Sequence, residues 1–218
     1  MARKNNPTQT VESIISVSAK LFIEKGYDKT SMQDIVAALG MSKGAIFHHF
    51  KSKEDIFNEV INRQFQYVEQ TLYQWIDEMQ ELTAKEKLIK ILEKNLNDQQ
   101  AHSLDSVLST QIQNPYFIVA TMQEGVNKSA PIFAKIMREG KEDGSITTQF
   151  PDECAEIFFL LMNIWCDPVI FACDLSRLMG RLNFLQQILI KMGADIITDE
   201  LIASYLKFVE KLYEREKI

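Results

Sequence analysis

The stretch SMQDIVAALGMSKGAIFHHF, residues 31–50, decides how this chain folds. Met32, Ile35, Val36 and Leu39 recur at helical spacing over barely two turns, and Gly40 stops the run. Thr30 or Ser31 offers the N-cap, with Gln33 or Asp34 three residues on as a capping-box partner. Ser42 caps a further short helix that reaches about His49. Two short helices around a glycine turn form the helix-turn-helix plan. Glycine suits the turn because a side chain would clash where the backbone bends tightly.

Met32, Ile35, Val36, Leu39, Met41 and Ile46 occupy the positions that would pack the two helices together. Ser42, Lys43, Gly44, Ala45, Phe47 and His48 are left near the exposed start and outer face of the second one. Small residues at 44 and 45 would let that helix approach base edges in a DNA major groove. Lys43 can donate to guanine O6 or N7, or to phosphate. Thr30, Ser31 and Gln33, at the start of the preceding helix, and Lys53, at the start of the following one, are candidates for phosphate contact. His48 and His49 project about 100° apart on a helix, which suits no shared metal ion. Either one histidine is plain surface, or both touch the DNA groove or backbone.

Outward from this segment the pattern is helical almost throughout. Val11, Ile14, Ile15, Ala19, Phe22 and Ile23 form an amphipathic stripe that Gly26 ends. After residue 53 a helix of about 25 residues, or ~37 Å, carries a stripe from Ile56 to Met79. The spacing predicts further helices near 84–99, 102–112, 116–128, 131–140, 152–172, 181–192 and 199–215. Asn114, Pro115, Pro131, the stretch 142–145 and Pro151 separate them. Strand alternation longer than a few residues is not found. The expected fold is all-α: a helix-turn-helix domain over 1–53 and a helical bundle over 54–218.

Charge divides the chain at the same place. Residues 1–53 hold eight Lys/Arg and four Asp/Glu, a net of +4, whereas residues 54–218 hold sixteen and twenty-six, a net of −10. A basic head on an acidic body points to two tasks, the basic one facing an anion such as nucleic acid. Three cysteines and an N-terminal stretch with no apolar core suggest free thiols in a reducing cytoplasm. The most apolar run, residues 157–166, is about half the length of a membrane span, so no membrane partner is expected.

The segment GYDKTSMQDIVAALGMSKGAIFHHFKSKEDIF, residues 26–57, resembles the DNA-binding segment of the tetracycline-repressor (TetR) family. The likeness lies in the Gly-aromatic pair, the Thr/Ser before the second helix, the Gly-x-Ser-x-Gly turn and the aromatic-x-His-Phe close. Leu39 stands where the family has Ala, Met41 where Val is common, and Phe47 where Tyr is usual. The last change removes a hydroxyl that would hold a phosphate. The resemblance implies a repressor that binds palindromic operator DNA as a homodimer. It also implies a long connecting helix and an all-α domain in which a small molecule changes the spacing of the two DNA heads.

Helix 152–172 is apolar on nearly all sides, so it is central or covered by a second subunit; with 199–215 it could supply a four-helix dimer interface. Met122, Phe158, Met162 and Trp165 are candidates to line an apolar effector cavity, with Asn163 or His102 as polar anchors. His102 and Asp105, three apart, also suit a solvated helical pair. Cys166 and Cys173 would lie ~10 Å apart on one straight helix, too far for a disulfide unless Pro168 bends it. A nucleophile elbow, P-loop, dinucleotide-binding glycines or metal-spaced cluster is not found, so no catalytic residue, metal or cofactor is expected. The competing reading is a helix-turn-helix protein with a packed bundle, regulated by a protein partner or by thiol oxidation.

Overall fold

A computed structural model describes residues 7–111 and 115–216 of the chain, and among these the ordered elements are helical. The end of the expected 102–112 helix and the break at Asn114 lie outside the described residues. None of the described helices is long and apolar enough to cross a membrane.

Contacts divide the chain into two units. The first comprises residues 7–70 with 100–110, and the second residues 71–99 with 111–216. In the first, α1 (Pro7–Lys25), α2 (Met32–Leu39) and α3 (Lys43–His49) bury Ile14, Phe22, Ile35 and Ile46 completely. The division does not fall at residue 53. Ile56, Phe57, Val60 and Ile61, on the first turns of α4 (Lys53–Glu78), belong to the same core, and so do Leu104 and Val107 around α6 (Asp105–Leu108). The buried Gln64 amide donates to the carbonyls of Gln100 and Ala101 at 2.7 Å and fixes that segment on α4. Apolar burial, rather than the charge boundary, sets the unit.

The second unit packs α5 (Ala84–Asn97), α7 (Pro115–Glu124), α8 (Ala130–Asp143), α9 (Pro151–Leu160), α10 (Leu175–Lys191) and α11 (Asp199–Glu216). Leu88, Met137, Leu178, Leu182 and Leu185 are fully buried in its core. Two expected boundaries differ. The stretch from Pro115 to Asp143 is not broken at Pro131; a π-helical turn over Gly125–Ser129 joins α7 to α8. There the Ala130 N–H reaches back five residues to the Gly125 carbonyl, and the wider turn leads into Pro131, which has no N–H to give.

The helix expected over 152–172 stops short. A second π-helical turn spans Leu161–Trp165, and the chain leaves it at Cys166. The Asp167 carboxylate then accepts from the N–H groups of Val169 and Ile170 at 2.7 and 3.2 Å, an Asx turn completed by Pro168. Asp174 caps α10 by accepting from Arg177 N–H at 2.7 Å, so the helix begins at Leu175, six residues before the expected start. The seam between α9 and α10 is therefore a folded loop.

Candidate nucleic-acid interface

Ser31 is the N-cap of α2, and the capping box is complete. Asp34 N–H donates to Ser31 Oγ at 3.1 Å, while Ser31 N–H donates to Asp34 Oδ2 at 2.8 Å. Lys25 at the end of α1 reaches Asp34 Oδ1 at 2.9 Å. These bonds, led by the Ser31 hydroxyl, hold the Asp34 carboxyl well below the usual carboxylate range. Gly40 at φ 61° ends α2 in the left-handed region. Ser42 then caps α3, accepting from Ala45 N–H at 3.3 Å.

This geometry presents the first turn of α3. Ser42, Lys43 and Gly44 are exposed, Ala45 is half-buried, and Ile46 is fully buried beneath them. A side chain built at Gly44 would meet nothing within 4 Å. The Lys43 ammonium sits over the Phe47 ring, 5.3 Å from its centroid. Ser31, Gln33, Lys43 and Phe47 line one shallow groove of about 290 Å³ together with Met32, Val36 and Ala37. Sequence reasoning did not assign Ala37 to that face, although it lies four residues after Gln33 on one helix side.

His48 is exposed and His49 half-buried, with ring centroids 5.1 Å apart and edge to face. Lys51, absent from the expected set, donates to the Phe47 carbonyl at 2.8 Å and closes the C-terminus of α3.

Two expected contacts turn inward. Thr30 is 1% exposed, and its hydroxyl donates to the Gly26 carbonyl at 2.8 Å, which leaves nothing for phosphate. Lys53 does begin α4, but its ammonium donates to the Tyr27 carbonyl at 2.7 Å and lies 4.0 Å from the Tyr27 ring centroid. Both residues fasten the Gly26–Tyr27 turn. Burial, then Glu54 and Asp28, raises the Tyr27 phenol above its ordinary range.

The six effector candidates are divided between the two units. His102 lies in the first unit, with Nδ1 2.8 Å from Asp105 Oδ2, whereas the other five lie in the second. Phe158 is a core residue, stacked on Phe133 at 5.7 Å. Asn163 and Met122 are exposed. Met162 and Trp165 are half-buried against the core, in the π-helical turn that follows α9. A helical wheel could not separate these places, because the π turn shifts every following side chain around the axis.

Comparison with known proteins agrees with this geometry. Residues 14–60 match the profile of a family described as bacterial regulatory proteins, tetR family. Over 62 residues the chain is 40% identical to the HTH-type transcriptional regulator AcrR of Shigella flexneri, covering 28% of this chain and 29% of that protein. Over 120 residues it is 29% identical to the HTH-type transcriptional regulator QacR of Staphylococcus aureus, covering 54% of this chain and 61% of that one. A transcriptional regulator from Cytophaga hutchinsonii shares the fold at a TM-score of 0.61 and 19% identity, over 92% of both chains.

Proposed function

Because the chain belongs to the TetR family of bacterial regulatory proteins, we propose that it is a transcriptional repressor. It binds a palindromic operator as a homodimer in the cytoplasm and is released by a small apolar molecule. Residues 1–53 make the DNA contacts, and residues 54–218 carry the effector and dimer contacts. The observation that carries the reading is the first turn of α3: an exposed lysine beside an open glycine, on the groove it shares with α2. In the major groove Lys43 reads a guanine edge, Phe47 meets apolar surface such as a thymine methyl, and Gln33 and Ser42 hold phosphates.

For the homodimer, support comes from α10, where Met179, Phe184 and Ile190 are 44%, 57% and 41% exposed. For the effector, it comes from the two π-helical turns in one unit, with half-buried Met162 and Trp165 in the second.

The test is selection from random duplex DNA, repeated with Lys43→Ala. The wild type enriches an inverted repeat, and Lys43→Ala relaxes preference at one position of each half-site, by about 1–3 kcal/mol. If no inverted repeat is enriched, the reading is wrong. An effector screen on the Trp75→Phe protein, where Trp165 is the remaining tryptophan, then follows fluorescence and operator release together.

A further inference from the structure

The loop between the second π-helical turn and α10 gathers a group that DNA recognition does not use. One nitrogen of Arg181 donates to the Trp165 carbonyl at 2.8 Å, the Phe171 carbonyl at 3.1 Å and Cys173 Sγ at 3.4 Å. The shared nitrogen brings Cys173 beside residue 165, and therefore beside the end of the helix where Cys166 follows. The guanidinium also lies over the Trp165 and Phe171 rings, 5.7 and 5.9 Å from their centroids. Its Nε–H is buried with no acceptor. Cys173 is half-buried, whereas Cys166 is 0% exposed.

We propose that Cys173 is a site of reversible oxidation by hydroperoxides, with Arg181 holding the added oxygen and Cys166 as the resolving thiol. The deprotonated Cys173 sulfur attacks the terminal peroxide oxygen, and the O–O bond breaks. The alkoxide leaves and takes a proton from solvent to become the alcohol, while Cys173 becomes a sulfenic acid. The sulfur has then lost two electrons, and the peroxide has gained them. The Arg181 N–H groups, including the one with no acceptor, are donors suited to the new S–O oxygen. In a second step the Cys166 sulfur attacks Cys173 sulfur, the S–O bond breaks, and hydroxide leaves with the Cys166 proton as water.

The environments of the three thiols assign these roles. Burial pushes the Cys166 thiol up to about 12, so it remains protonated and does not attack peroxide first. Cys154 is 4% exposed and paired with the Thr148 hydroxyl at 3.4 Å. The objection that a straight helix separates Cys166 from Cys173 does not apply, because the helix ends at Trp165 and the chain folds back through the Asp167 turn. The site is independent of the DNA-binding reading.

The test is peptide mapping of the folded protein after brief treatment with cumene hydroperoxide. A Cys166–Cys173 disulfide is expected, reversed by dithiothreitol, with Cys154 alkylated only after unfolding. Cys166→Ser should instead accumulate a Cys173 sulfenic acid that a 1,3-diketone traps. Arg181→Gln should slow the adduct severalfold and Arg181→Lys should restore part of the rate. Circular dichroism checks that each variant is folded. If an Arg181 variant is not, the rate of Cys173 in the native wild type is compared with its rate in urea. First modification at Cys154 or Cys166, or a native Cys173 no faster than the unfolded one, overturns the proposal.

Discussion

At the scale of single residues, placement separates side chains that look alike in the sequence. Lys43 and Lys53 are both lysines of the basic head, yet one is exposed and the other donates to Tyr27. Lys53→Ala should lower the stability of the first unit by about 1–2 kcal/mol in urea denaturation, because it leaves the Tyr27 carbonyl without its charged donor. Gly44→Ala does the reverse: it adds a methyl into open space on a helix, so stability should rise by up to about 1 kcal/mol. Affinity for the selected DNA should nevertheless fall about tenfold or more, since the methyl blocks close approach to base edges. A Gly44→Ala protein with unchanged binding would remove α3 from the interface. Asp34 supplies a pH dependence with a definite sign. Its folded pKa is depressed, so the stability it contributes is present above its unfolded value of about 3.9 and is lost as pH falls below that. Thermal melts should therefore show Asp34→Asn with a shallower loss of stability on acidification than the wild type.

At the scale of elements, the spacing of apolar residues located the helices well, and the ends were decided by groups the spacing does not weigh. The capping box at Ser31 and Asp34 was readable, because both partners are local. Thr30 was not separable from Ser31 by type; its carbonyl partners come from α1 and the turn after it. The π turns at 125–129 and 161–165 were not readable, because each depends on how the helix packs against its neighbours. Gly193 shows the same dependence. At φ 80°, its carbonyl accepts from the N–H groups of Thr147 and Thr148 at 2.9 and 3.1 Å, and an added Cβ would lie 2.5 Å from Thr147 Oγ1. Gly193→Ala should cost at least about 2 kcal/mol, read as a lower urea midpoint, because both the backbone conformation and the space exclude a side chain.

At the scale of the whole molecule, α10 carries apolar side chains on two faces: Leu178, Leu182 and Leu185 are buried, while Phe184 is 57% exposed. In the proposed dimer a second copy covers the outer face, and light scattering should then give about 50 kDa, twice the 25.1 kDa chain. Phe184→Glu should shift that mass toward the monomer without loss of helicity; a wild type that scatters as a monomer would end the dimer reading. Operator affinity should also fall linearly on a log–log salt plot, as neutralised phosphates release their counterions. The sequence by itself determined the helical class, the helix-turn-helix and the residues at its exposed turn. Those rest on 3.6-residue periodicity, caps and a glycine, all local within about ten residues. Only the tertiary structure decided that Thr30 and Lys53 face inward, that the first core takes in the start of α4 and residues 104–107, and that Cys173 meets Arg181. Each of these depends on partners brought together by burial, and burial is a property of the packed chain, which spacing along the sequence does not encode.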